Sequence, residues 1–299
     1  MGLEVKGLTK VYDKFVAVNN ITFDVPKNSI YGFLGANGAG KTTSFRMILG
    51  IFNRTSGEIY WDNKDIQKID NKRIGYLPEE RGLYPKISVK QQLSFFGKLR
   101  GLSSKQVKTA SERWLEEFKV TDLLNKKVGQ LSKGNQQKIQ FISSVMHQPE
   151  LLILDEPFSG LDPVNVEQLK KAVINLRDEG STIIFSSHRM EHVEELCENI
   201  ALLNKGNMII QGNLSSIKKA QGELILQIQA DFKIDEIKEL PEVIDYQRTA
   251  VESIIRVKGE KEANIVQQWL FKRGYVRKFL IKEPSLNDIF VKKVGLTYE

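Results

Sequence analysis

The alternation of apolar and polar positions divides the chain into strands and helices. Residues 3–12 and 16–25 alternate apolar and polar side chains around a turn, which predicts two antiparallel strands. The run Leu151–Leu154 is fully apolar and too short for a helix, so it is typical of a buried parallel strand. A further β-rich run spans Thr182–Ser187. Residues 88–147 instead show helical periodicity, which predicts a helical insertion between strands.

A glycine-rich segment follows another apolar run, Ile30–Leu34, and leads into a helical segment that begins near Thr43. This order of strand, loop and helix satisfies the G-x-x-x-x-G-K-[ST] pattern of a phosphate-binding loop. The glycines allow close backbone approach to phosphates, and amides at the start of the helix favour negative charge. The sequence therefore predicts a nucleoside triphosphate site, with Thr43 following the loop residues Gly35, Ala36, Asn37, Gly38, Ala39, Gly40, Lys41 and Thr42.

Charged side chains in and beyond the loop suit phosphate chemistry. Lys41 can neutralise the outer phosphates, and the Thr42 hydroxyl can ligate Mg²⁺. Asp155 and Glu156 directly follow a predicted central strand, where two adjacent carboxylates are costly unless they face positive charge. We interpret Asp155 as the metal-side acid and Glu156 as the base for an attacking water. The alternative is that both are solvent-facing loop acids. His188 closes the next strand, where it could reach a γ-phosphate, although a lone histidine is more often structural.

Composition narrows the class of protein. The chain has 299 residues, a formal charge of +7 and a single cysteine, Cys197. No apolar run approaches the ~20 residues that cross a bilayer, and the start has no signal-peptide layout. Cys197 excludes an internal disulfide, suits a reducing cytoplasm and is expected to fill space in a helix. The basic residues are dispersed, which favours a solvated surface over a nucleic-acid or anionic membrane site.

The sequence changes character near Gly222, where a small module of strands and helices begins. We therefore predict an ATP-binding domain over residues 1–220, with a helical subdomain over about 86–148, and an accessory α+β domain over 221–299. The expected fold class is α/β, a P-loop NTPase, and resemblance to a known family implies a RecA-like core with an antiparallel β subdomain.

Taken together, these motifs resemble the ATP-binding cassette (ABC) family over roughly residues 2–218. The resemblance rests on Tyr12, on the loop and acids described above, on Ser159-Gly160-Leu161-Asp162 and on His188. It is nearest to the ATPase subunits of drug, antibiotic and sodium exporters, whose membrane subunit is a separate chain. Their C-terminal extension also resembles residues 222–299.

The resemblance implies a role for each matching residue. Tyr12 would stack on adenine, the segment from Gly35 to Thr43 would hold the phosphates and Mg²⁺, and Asp155 would support the metal. Glu156 would be the general base, and His188 would contact the γ-phosphate. Two copies would pair head to tail.

In such a pair, the signature segment of one copy would close on ATP bound to the other. Ser132 and Gly134 would face the phosphate, and Asp162 would lie at the seam between the copies. Ser132 also suits a purely structural role as a helix cap.

Three departures from the family pattern stand out. The signature is usually Leu-Ser-Gly-Gly-Gln, whereas this chain has Lys133 and Asn135 within it. Glu79 stands where the family usually has a glutamine that touches Mg²⁺ and water; a carboxylate can also ligate Mg²⁺, so we expect activity. Only one cassette is present, which argues against the two-cassette translation factors of the superfamily.

The leading hypothesis is an ATPase subunit that dimerises on ATP and drives a separate membrane permease from the cytoplasmic face of the membrane. The segment from Arg81 to Leu99, with Tyr84, Phe95 and Phe96, would dock the permease, although these aromatics would also suit a helical core. A soluble ATP-switched regulator or DNA-associated ATPase is the second hypothesis, because the chain is basic. A nucleotide-binding regulator without turnover is the third. The sequence leaves open the exported substrate, the permease, the transport direction and the role of the second domain.

Overall fold

The computed structural model describes residues 2–295, with side chains to Lys293. The chain divides into two units, Met1–Gly212 and Asn213–Glu299. This division precedes the boundary at residue 220 that composition predicted. The shift in composition follows the helix Leu214–Lys219, whereas the break in tertiary contacts precedes it. The last residues of the predicted second domain, 296–299, lie outside the described residues.

The first unit contains strands β1–β10 and helices α1–α6. The strands are Leu3–Tyr12, Phe15–Val25, Ile30–Gly35, Ser56–Trp61, Lys64–Asp65, Ile74–Leu77, Leu151–Leu154, Thr182–Ser187, Asn199–Asn204 and Asn207–Asn213. The helices are Lys41–Ile48, Val89–Leu99, Ser104–Glu117, Lys133–Val145, Pro163–Asp178 and Met190–Leu196.

A six-stranded sheet in the order β10-β9-β3-β8-β7-β6 forms the centre of this unit. Strand β3 runs parallel to β8 and β9, and β7 runs parallel to β8 and β6. Leu34 lies opposite Ser187 and Leu154 lies opposite Phe185, so the carboxyl ends of β3, β7 and β8 meet at one edge of the sheet. Ligands of open α/β sheets bind at this kind of edge. The α/β P-loop fold predicted from the sequence is confirmed.

The first two strands pair antiparallel, as predicted, but belong to a separate sheet in the order β2-β1-β4-β5. This sheet shares a core with helix α1 and the central sheet. Phe33 of β3 packs against Phe23 of β2 and Phe45 of α1, with ring centroids 5.2 and 5.3 Å apart. The helix that carries the phosphate loop is therefore anchored on both sides.

The helical insertion predicted over residues 88–147 comprises α2, α3 and α4. Ser88 and Ser103 start α2 and α3 with capping boxes, in which each serine and the glutamine three residues later satisfy one another's backbone amides. Trp114, Phe118 and Phe141 pack together between α3 and α4. The insertion thus has a core of its own.

The second unit is a four-stranded sheet with helices α7–α9. The strands β11–β14 are Leu224–Ala230, Val243–Arg248, Ser253–Val257 and Val276–Lys282, and the helices are Leu214–Lys219, Glu260–Phe271 and Leu286–Gly295. The strand order is β12-β13-β11-β14, and all neighbours are antiparallel. Leu226, Ile255 and Val266 are fully buried between the sheet and α8.

Several elements differ from the sequence prediction. Strands β5, β9, β10 and β12 were not predicted. Strand β12 was not recognised in the sequence because it is polar and half-exposed at a sheet edge, where an apolar pattern is not required. Residues Asp235–Glu239 form a short 3₁₀ helix. Cys197 follows α6 in extended conformation and is not helical, but it is buried, as expected for a space-filling side chain, and burial raises its pKa.

Candidate functional site

The glycine-rich loop forms a cradle at the end of β3. Gly38 and Gly40 have φ of +79° and +105°, in the left-handed region that favours glycine. A Cβ on Gly40 would lie 2.7 Å from the Ala17 carbonyl oxygen, so a larger residue would displace the β1–β2 hairpin. The loop borders a cavity of about 300 Å³, lined by Phe15, Ala17, Asn37, Gly38, Ala39, Gly40, Lys41, Thr42, Thr43, Glu79, Asp155 and Glu156.

Lys41 is buried at the base of this cradle. Its Nζ donates to the carbonyl oxygens of Gly35 at 2.7 Å and Ala36 at 3.2 Å, and lies 3.8 Å from Glu156 Oε1. The ammonium group is thus held between the loop that carries it and the acid at the end of β7. This places positive charge where a phosphate chain on the loop amides would need it.

Asp155 is fully buried at the end of β7 and is held by a serine that the sequence analysis did not single out. Its Oδ1 accepts a hydrogen bond of 2.6 Å from Ser186 Oγ, and the same hydroxyl accepts one of 2.9 Å from the Glu156 amide. Ser186 therefore fixes both acids at once. The one feature of the sequence that could have indicated this role is the position of Ser186, a polar residue inside the buried parallel strand β8, which pairs with β7.

Glu156 lies beside Asp155 and is only 7% exposed. Its backbone is left-handed, with φ of +49°. His188 Nδ1 donates to Glu156 Oε2 at 2.9 Å, while the imidazole is half-exposed. Burial raises the pKa of Glu156, and the neighbouring His188 and Lys41 oppose that rise. A carboxylate with a raised pKa in a cleft is suited to accept a proton.

The oxygen donors around the cavity fit a magnesium ion. Asp155 Oδ2 is buried without a hydrogen-bond partner, and Thr42 and Glu79 line the same cavity. Oxygen ligands of this kind are those that Mg²⁺ prefers. No group of three or more His, Cys, Asp or Glu side chains forms a metal cage anywhere in residues 2–295. Thr42, Glu79 and Asp155 supply only a few oxygen donors at the cavity, which suits an ion shared with phosphate oxygens, because Mg²⁺ usually binds through few protein ligands.

Tyr12 lies at the end of β1, exposed and beside the cavity-lining hairpin. Its ring meets Phe52 edge-on, and the Lys10 amine lies 4.7 Å from the ring centroid. Tyr12 itself is not among the residues that line the cavity. The aromatic residue of this hairpin that lines it is Phe15, which pairs with Tyr12 across the turn and is 65% exposed. Phe15 was not predicted from the sequence, because an exposed phenylalanine at a turn carries no motif.

Ser132, Gly134 and Asp162 do not line the cavity but lie together elsewhere on the same unit. Ser132 caps α4 by accepting from the Asn135 amide, and Asp162 caps α5 by accepting from the Asn165 amide. A Cβ on Gly134 would lie 3.0 Å from Asn165 Nδ2, which joins the starts of the two helices. Within one chain, then, the signature residues form a separate surface.

The aromatic residues proposed for docking form a cluster. The Tyr84 ring packs against Phe95 and Phe96, with centroids 5.7 and 6.3 Å apart. Tyr84 and Phe95 are about half exposed, so the cluster is not a closed core. His147 and His192 lie outside the cavity, and burial lowers the pKa of each, that of His147 to about 4.

Comparison with known proteins identifies the family. The family model described as ABC transporter matches residues 18–159, and that of the DrrA1-3-like ATP-binding protein C-terminal domain matches residues 212–294. An uncharacterised ABC transporter ATP-binding protein of Bacillus subtilis strain 168, YhaQ, is 48% identical over 99% of this chain and all of its own length. The chain belongs to the ABC transporter family.

Other members of the family are also similar over most of this chain. The bacitracin transport ATP-binding protein BcrA of Bacillus licheniformis is 32% identical over 98% of this chain and 97% of its own length. A solved ATP-binding subunit of an ABC transporter is 28% identical, with a TM-score of 0.69, over 74% of this chain and 94% of its own. The chain is therefore an ATP-binding ABC ATPase subunit, and neither the regulator hypothesis nor the DNA-associated one is favoured. Within residues 2–295, no helix is both long and apolar enough to cross a membrane.

Proposed function

We propose that this ABC ATPase powers export by a separately encoded membrane permease. Similarity to the bacitracin transport ATP-binding protein BcrA supports the proposal. The single observation that carries the chemistry is the buried cluster at the strand ends, in which Lys41, Asp155 and Glu156 meet beside the phosphate loop. The chain would act at the cytoplasmic face of the membrane, held there by the permease.

The cluster suits phosphoryl transfer to water, which depends mainly on positioning and on stabilisation of charge. Loop amides from Gly35 to Thr43 and the Lys41 ammonium would hold the phosphates. Mg²⁺, ligated by Thr42 and supported by Asp155 and Glu79, would supply positive charge to the phosphate oxygens. Lys41 would then exchange its contacts with the loop carbonyls for contacts with phosphate oxygens.

Glu156 would act as the general base. Its raised pKa favours uptake of a proton from an attacking water, and the His188 hydrogen bond aims its carboxylate. His188 is half-exposed on its other side, so its Nε2 would be free to contact the γ-phosphate. Tyr12, with Phe15 nearby on the cavity wall, would stack on the adenine.

Within one chain, the phosphate-loop cavity and the signature surface lie apart, and this separation supports a head-to-tail homodimer. Ser132 and Gly134 of one copy would close over ATP held by the other, and Asp162 would lie at the seam. ATP would thus join the two copies, and hydrolysis would release them. The half-exposed aromatic cluster of Tyr84, Phe95 and Phe96 would receive the permease, because apolar rings that remain open to solvent favour a protein partner.

The test is steady-state ATPase activity of the purified chain against Glu156→Gln, with ATP-dependent dimerisation followed by size-exclusion chromatography. Glu116→Gln, which alters an exposed glutamate on α3, is the matched control. We expect the wild type and the control to hydrolyse ATP, and Glu156→Gln to be inactive and to accumulate as an ATP-bound dimer. Hydrolysis by Glu156→Gln at the wild-type rate would disprove the role of the base.

The docking proposal has a separate test. Alanine at Tyr84 and Phe95 should abolish co-purification with the membrane permease, while ATPase activity of the isolated subunit persists. Alanine at Phe271, an exposed aromatic of the second unit, is the control. Undiminished binding by the Tyr84 and Phe95 variant would exclude this surface.

A further inference from the structure

Helix α4 carries a buried glutamine that donates hydrogen bonds to the loop on which Glu79 lies. Gln140 is only 5% exposed, and its Nε2 donates to the carbonyl oxygens of Pro78 and Glu80, both at 3.1 Å. These two carbonyls flank Glu79 on either side. Both amide hydrogens of one side chain are therefore used to fix the backbone that carries Glu79 to the cavity wall.

The orientation of this carboxamide follows from its partners. Carbonyl oxygens only accept hydrogen bonds, so the atom that faces Pro78 and Glu80 must be the nitrogen. The opposite atom, Gln140 Oε1, is buried without a hydrogen-bond partner. A buried unsatisfied acceptor costs about 1–3 kcal/mol. Because Gln140 is buried although its Oε1 has no partner, we infer that the hydrogen bonds of its Nε2 are functionally important.

Two further side chains of the same helix form hydrogen bonds with the active-site loops. Gln137 Nε2 donates at 3.1 Å to the carbonyl oxygen of Pro157, the residue after Glu156. Gln136 Oε1 accepts from Arg81 at 3.3 Å, two residues beyond Glu79. Ser132 caps helix α4, which begins at Lys133, so one helix connects the signature surface to the loops of both cavity glutamates.

We propose that Gln140 is a positioning residue, which sets the place of Glu79 in the ATP site by holding the carbonyl groups on both sides of it. The inference rests on the proposed function, because it assigns Glu79 to the Mg²⁺ and water side of that site. Gln140 touches neither nucleotide nor metal and acts only through the loop. Movement of helix α4 would reach Glu79 through this side chain.

The test is a double-mutant cycle with Gln140→Met, which keeps the length of the side chain and removes its donors. Alone, this variant should lower kcat about tenfold, because a small misplacement of a positioning group has a large effect on rate, while KM for ATP stays unchanged. In a Glu79→Ala background it should have no further effect. Gln140→Asn, which keeps the amide but withdraws it from the loop, should match Gln140→Met. Ser144→Ala is the control, because that buried hydroxyl donates only to Phe141 within the same helix.

A second measurement reads the loop without activity. Trypsin cleavage after Arg81, an exposed residue of the loop, should be several-fold faster in Gln140→Met than in wild type or Ser144→Ala, at equal Tm. Equal cleavage rates, or the same fall in kcat with and without Glu79, would overturn the proposal. Absence of ATP hydrolysis by the wild type would instead refute the proposed function, so the two failures are distinguishable.

Discussion

Ser186→Ala removes the one hydroxyl that holds both acids of the site. Ser186 Oγ donates to Asp155 Oδ1 and accepts from the Glu156 amide, and all three groups are buried. The variant loses a hydrogen bond to a charged group, worth about 2 kcal/mol, and strands the Glu156 amide, which costs about 1–3 kcal/mol. The two losses share one atom and do not add fully, so the expected fall in the free energy of unfolding is about 3 kcal/mol.

Urea unfolding of the first unit measures this change. Trp61 and Trp114 belong to this unit, and a Trp269→Phe background removes the emission of the second unit. A loss of about 3 kcal/mol should lower the Tm of a domain of this size by roughly 6–12 °C. Ser143→Ala is the matched control, because that buried hydroxyl bonds only to Ile139 within α4 and should cost less than about 1 kcal/mol.

The result that refutes this reasoning is equal stability of Ser186→Ala and Ser143→Ala. In that case water or a shifted backbone would satisfy Asp155 and the Glu156 amide as well as the serine does. A second refutation would be a large loss of stability with an unchanged rate of hydrolysis, because a displaced Asp155 and Glu156 could not both keep their proposed roles.

Three further predictions concern pH, adenine and the second unit. Glu156 must be ionised to act as the base, and burial raises its pKa, so activity should begin to fall at a pH above the pKa of an ordinary glutamate. His188 lowers the pKa of Glu156, so His188→Ala should move the acid limb of the kcat profile to higher pH. Tyr12→Ala should weaken ATP binding about tenfold by calorimetry, whereas Tyr12→Phe, which keeps the ring, should not. Arg256→Ala removes the ion pairs with the partly buried carboxylates of Glu223 and Asp288 and should destabilise the second unit by about 1 kcal/mol. Trp269 emission in a background without the other tryptophans measures this change, and no change would mean that solvent screens these pairs.

The strands and helices that position the site were predictable because each has a strong local signal. A buried parallel strand is continuously apolar, a phosphate loop has fixed glycine spacing, and a serine before a helix caps it. The strand over 151–154 therefore has the predicted bounds, and the acids that follow it lie at the cavity, as the prediction requires.

The contacts within the site were not predictable, because they join residues far apart in sequence. Ser186 and Asp155 meet only because β7 and β8 are neighbours in the sheet, and Gln140 meets Pro78 across 62 residues. A serine in a strand and a glutamine in a helix have no spacing that marks such roles. Phe15 was missed for a related reason, because only the fold brings that turn to the cavity.

The left-handed backbone of Glu156 sets stability against activity at one position. An L-residue in this region carries a cost of roughly 1–2 kcal/mol that glycine does not. Glu156→Gly should therefore fold at least as stably as the wild type, while it lacks the carboxylate required for turnover. Selection for folding or expression alone would favour loss of the acid, so only selection for turnover can maintain it. High yield and high Tm in a variant at this position are thus no sign of a working enzyme.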